Sequence, residues 1–184
     1  MSPHFALPEQ LLALGCDYTR HQDALHTSPL HMPDPAGALD GHIASTQGLV
    51  HKAHTAHEAL LALRIYRSPG LRAALARIKQ LAALAVMAAD YLIEAQDALA
   101  TAGITAEPEA STARPWALQE ASRRVLLAKD LTILGAEDCL AAAELVAYEL
   151  RQQHITPDHQ PLPCPQPNTL PCGRWPRDTS PSTG

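Results

Sequence analysis

The chain has 184 residues, 46% of them hydrophobic and only 4% aromatic, with a formal net charge of -5 at neutral pH. That length supports one domain with a single core, and the acidic balance removes any overall attraction to nucleic acid or to an anionic membrane. The longest uninterrupted apolar run, Leu81 to Ala89, falls far short of the roughly 20 residues needed to cross a bilayer, and the opening MSPHFALPEQ lacks a basic signal-like start, so a cytoplasmic protein is expected.

Alanine supplies 33 residues, and 11 Arg stand against 3 Lys. A core of Leu and Ala with few rings lets helices approach closely and predicts an all-α fold; the Arg, Ala and Pro bias is that of a GC-rich bacterial genome.

Residues 1–39 form an N-terminal segment. Pro8-Glu9-Gln10 opens a short helix carrying Leu11, Leu14, Tyr18 and Leu25, with Gly15 as an interruption, and Thr27 to Ala36 reads as a connection that Pro29, Pro33 and Pro35 keep from being helical. Residues 40–155 form the bundle core. Asp40 is the expected N-cap of a helix at about 41–66, with Leu49, Ala53, Ala56, Leu60 and Leu63 on one face. Ser68-Pro69 then caps and starts the central helix, about 69–101. Its apolar stripes include Leu71, Ile78, Leu81, Ala85, Leu92 and Ala95, and from Leu81 to Ala89 it is apolar all round, which predicts packing over most of its circumference by other helices or a second subunit. After a linker from Gly103 to Arg114, Pro115 starts the last helix, about 115–154, where Gly135 marks either a close contact or a kink. Leu127, Leu131, Leu134, Leu145 and Tyr148 read as a second core stripe there.

The short connection at Ser68 predicts an antiparallel hairpin in which Glu58 lies opposite Lys79. The central and last helices are each basic early and acidic late, so laid antiparallel they match opposite charges: Arg72 with Glu144, Lys79 with Asp138, Glu94 with Arg123. The sequence therefore predicts an up-and-down antiparallel bundle of three helices plus an N-terminal fourth. Beyond it, residues 156–184 are a proline-rich tail read as disordered or polyproline, in which Pro161 to Pro167 resembles a ligand for an aromatic groove.

Candidate metal ligands are His51, His54 and His57, with His42 upstream; steps of three residues fan around the helix, so at most two meet at one ion. A second set is His154, His159, Cys164 and Cys172, whose types suit zinc but whose spacing lacks a C-x-x-C knuckle. Arg64, Arg67, Arg72, Arg77 and Lys79 make a basic corner around Ser68 that offers a phosphate or nucleic-acid contact. There is no nucleophile elbow or phosphate-binding glycine loop, so no catalytic residue and no cofactor is expected. The expected function is non-catalytic: a structural, assembly or regulatory bundle acting through protein-protein interaction, with a homodimer formed along the small stripe of Ala121, Ala128, Thr132, Gly135, Cys139 and Ala142. A metal- or small-ligand-binding bundle, with zinc or another transition metal, and a nucleic-acid accessory at the basic corner are the alternatives.

Overall fold

The structure is a computed structural model that describes residues 6–27, 30, 34–63, 68–104 and 110–155, the side chains of 102–104, 110–113 and 153–155 excepted. It is an all-α bundle of four helices: α1 (Ala6–His26), α2 (Pro35–Ala62), α3 (Pro69–Ile104) and α4 (Ala110–Ile155). Each helix packs against its neighbour in sequence, and α1 closes the ring against α4. Contacts step down one helix as they step up the next, so all four interfaces are antiparallel.

The helix starts follow from local chemistry. Pro8 and Glu9 sit in the first turn of α1, where a missing N–H costs nothing and the carboxylate complements the helix dipole, and His26 in its last turn lies 2.9 Å from Lys129 Nζ of α4 through Nδ1. Leu7, Leu11, Leu14, Tyr18, His21 and Leu25 are its buried face. Gly15 does not interrupt it. A Cβ there would lie 3.2 Å from Cβ of Cys139, so the bare backbone lets α1 close on α4.

The start of α2 differs from the sequence expectation. Asp34, not Asp40, is the N-cap, its carboxylate accepting from the Gly37 N–H at 3.0 Å. Pro35 is the first helical residue, a position where proline's fixed φ and absent donor suit the helix. Asp40 instead accepts from Gln96 Nε2 at 2.6 Å, tying α2 to α3. Ser68 caps α3 as expected, its hydroxyl accepting from the Leu71 N–H at 3.1 Å. Helix α4 begins before Pro115, which lies inside it at the cost of one early helical hydrogen bond, and it runs through Gly135 without a break.

The charge-matched register of α3 and α4 is met within two residues. Arg77 pairs with Asp138, and Arg124 with Glu94, both at 2.5 Å. Each cation is a close neighbour of the expected one, Lys79 or Arg123. Among the described residues no ion pair joins Arg72 to Glu144 or Glu58 to Lys79.

The core divides in two along the bundle axis. The larger part draws on every helix: Leu7, Leu11, Leu14 and Tyr18 of α1, Leu49 to Leu60 of α2 with its C-cap Leu63, Leu71 to Ala85 of α3 and Cys139 to Leu150 of α4. The smaller part is Leu25 of α1 and Leu39 of α2 laid on Ala88, Leu92 and Ala95 of α3 and Ala121, Val125 and Ala128 of α4. The all-round apolar segment of α3 is covered on only part of its circumference, since Val86 and Met87 are exposed.

Candidate interaction surface and buried polar layer

Between the two parts of the core lies a layer of polar side chains. His21 (5% exposed), Thr46 (0%) and Thr132 (0%) are buried there. The Thr46 hydroxyl donates to the His42 carbonyl at 2.8 Å and lies 2.8 Å from His21 Nε2. A threonine hydroxyl has one proton, and a carbonyl only accepts, so His21 Nε2 carries the hydrogen and donates to Thr46. The His42 ring is tilted against that of His21, with centroids 5.8 Å apart. Burial, then the neighbouring His42, pushes His21 down to about 4, and burial lowers His42 as well. The imidazole is thus neutral at pH 7. Thr132 donates to the Lys129 carbonyl at 2.7 Å, satisfying itself within α4.

Just below this layer the phenol of Tyr18 crosses the bundle from α1 and donates to the Leu81 carbonyl of α3 at 2.8 Å. Its ring rests on the bare backbone of Gly135, where any Cβ would collide with it. Gly135 is therefore a socket for an aromatic ring. Burial, followed by Cys139 and Asp138, raises the phenol's pKa, and burial followed by Asp138 pushes the Cys139 thiol up to about 12, so neither group ionises near neutrality.

This packing corrects the expected dimer stripe. Ala121, Ala128, Thr132, Cys139 and Ala142 are all fully buried inside one chain, as is Gly135, because α1 and α3 fill the space assigned to a second subunit. The small residues bring helices together, but the helices belong to the same molecule.

The histidines fan as their spacing dictates. His51 and His54 are exposed and His57 is half-buried, with its Nε2 unpartnered. Among the described residues no three His, Cys, Asp or Glu side chains converge on a common point. His154 lies in the last turn of α4, where the side chains of 153–155 are not described, and His159, Cys164 and Cys172 lie outside the described residues, as do Arg64 and Arg67 of the basic corner. Arg72 and Lys79 are exposed on α3, while Arg77 is engaged by Asp138.

The feature that sequence reasoning missed is the outer face of α4. Trp116 (65% exposed), Leu126 (57%), Leu134 (47%), Leu140 (52%) and Tyr148 (54%) all face solvent. At 100° per residue they fall in one arc roughly 120° wide, opposite the buried Ala121, Ala128, Cys139 and Val146. Leu134 and Tyr148 thus leave the core stripe to which their spacing assigned them. Asp130, Glu137 and Glu144 run through the same arc at seven-residue intervals, exposed and unpaired among the described residues. At its N-terminal end a cavity of about 220 Å³ is lined by Trp116, Gln119, Glu120 and Arg123. The signal was present: Leu126, Ile133 and Leu140 also repeat every seven residues, on the side away from the small stripe.

Among the described residues no helix is long and apolar enough to cross a membrane. In comparisons with known proteins, no family model, curated protein or solved structure matches this chain, so function is read from the chain's own surface.

Proposed function

We propose that this bundle is a non-catalytic protein-interaction module whose binding surface is the outer face of α4. The observation that carries the reading is the row of five large apolar side chains there, each between 47% and 65% exposed. At about 25 cal/mol per Å² of apolar area, leaving such a row in water forgoes several kcal/mol that a docked partner recovers, and its alternation with the exposed acids Asp130, Glu137 and Glu144 gives that partner polar as well as apolar groups to meet. The partner is another protein or a second copy of the chain. The inward face of α4 is already used by α1 and α3, so either one docks without opening the bundle.

The test is native mass spectrometry and sedimentation of the untagged protein alongside a Leu126→Asp plus Leu140→Asp variant. Association into a dimer or with a co-purified protein is expected for the parent chain, and its loss, with thermal stability kept, for the variant. A chain that stays monomeric at high concentration and retains no partner defeats the proposal.

A further inference from the structure

We infer that the partner of the α4 face is a basic amphipathic helix of another protein, laid along the stretch from Leu126 to Tyr148. The inference rests on the reading of that face as a binding surface and names what the surface takes.

Two columns of side chains run along this stretch, each repeating every seven residues. Leu126, Ile133 and Leu140 form one, and the exposed acids Asp130, Glu137 and Glu144 form the other, about 40° further around the helix. Leu134 and Tyr148, both exposed, lie on the far side of the acids, so the carboxylates are set between apolar side chains. Among the described residues none of the three joins an ion pair. A purely apolar partner would take these carboxylates out of water with nothing to meet them, and that desolvation opposes binding. Lysine or arginine removes the conflict: the alkyl stem lies on the leucine and tyrosine side chains while the charged head reaches the carboxylate.

The repeat selects a helix as the partner. Seven residues of α4 rise about 10.5 Å. A second helix has the same rise per heptad, so basic residues seven apart meet each acid in turn over the roughly 33 Å from Leu126 to Tyr148. A strand presents the side chains of one face about every 6.7 Å and falls out of step.

The order of charge argues against a second copy. Arg123 and Arg151 continue the acidic column by one heptad at either end, so it runs positive, three times negative, positive. Two copies laid parallel in register, or antiparallel about Glu137, set like charge against like at every step. Sliding the antiparallel pair by one heptad in either direction still leaves two contacts of acid on acid at its centre. The same acids repel nucleic acid and anionic lipid.

The test is calorimetric titration of the full-length protein with two synthetic helices of about 21 residues. One carries a leucine stripe bordered on both sides by lysine, and the other has every lysine replaced by glutamate. The lysine peptide is expected to bind about tenfold tighter or more, since three charge contacts each contribute severalfold, and the preference should shrink as salt rises from about 0.05 to about 0.5 M. Glu137→Lys plus Glu144→Lys should reverse the preference. Asp23→Lys plus Glu58→Lys makes the same change in net charge at exposed positions of α1 and α2 and should leave it intact. Equal affinity for the two peptides, binding of neither, or an equal loss of preference in both charge-reversed proteins overturns the inference. So does a parent dimer that Leu126→Asp plus Leu140→Asp dissociates, which assigns the face to a second copy while the interaction reading stands. That reading is judged separately, by the association of the parent chain without any peptide.

Discussion

The two parts of the core are built differently. Below the His21–Thr46 layer all four helices contribute, with leucines and Tyr18 filling the space. Above it α3 and α4 supply a small-residue seam, and α1 and α2 add one buried leucine each, Leu25 and Leu39. The lower part is a four-helix core, whereas the upper part is a helical hairpin with two leucines laid on it. An alanine-rich chain thus gains close helix approach along its full length but fills a wide interior only where large side chains from α1 reach in. The weight carried by α1 falls almost entirely on the lower part.

Changes at the junction should separate the two. Gly135→Val places a branched side chain where the Tyr18 ring sits. Overpacking costs up to about 3 kcal/mol and loss of the buried Tyr18 hydrogen bond about 1 more, so chemical denaturation should show a loss near 4 kcal/mol. Adding Tyr18→Leu should recover about 1 kcal/mol or more through coupling between touching residues. Strict additivity of the two changes would show that ring and glycine do not act together.

Acid acts on the layer itself. The folded value of His21, about 4, lies below its ordinary 6.5, so the stability it allows is complete above pH 6.5. Below that the unfolded chain takes up a proton that the folded chain refuses, and stability drains until the pH reaches about 4. At 1.36 kcal/mol per unit the loss amounts to about 3 kcal/mol. Denaturant titrations between pH 7 and pH 4 should show this slope in the parent chain and a shallower one in His21→Phe. Equal slopes would place the acid sensitivity elsewhere.

Smaller effects sharpen the contrast. Tyr18→Phe removes the donor to the Leu81 carbonyl, and since that carbonyl keeps its place in the α3 ladder, the cost should be about 1 kcal/mol. Gly41→Ala lies on the exposed side of α2, where an added Cβ meets nothing within 4 Å. It should stabilise the protein by about 0.5 to 1 kcal/mol, seen as a rise in melting temperature.

Much of this architecture is legible in the residues. The apolar stripe of α3 predicts its buried face, and the basic-then-acidic order of α3 and α4 predicts their pairing to within two residues, because a charge pattern fixes register over many turns. The start of α2 is misread because proline is usually a helix breaker, while Asp34-Pro35 is also an N-cap followed by the one helical position that favours proline. The small stripe of α4 announces a close contact without naming the partner: only the meeting of Tyr18 with Gly135, far apart in sequence, shows that α1 fills it. The outer face of α4 is hidden for a related reason. Two apolar stripes flank a helix that is small on one side, and spacing alone does not say which faces inward.

The ring of helices closes between its first and last members, and this orders events during synthesis. As the chain leaves the ribosome, α1 meets α2 early, but the flank that receives α4 stays open until residues as late as Cys139 and Val146 have emerged. For that interval Leu7, Leu11 and the Tyr18 ring lack the α4 residues that cover them in the finished bundle, an apolar edge that the closed ring conceals.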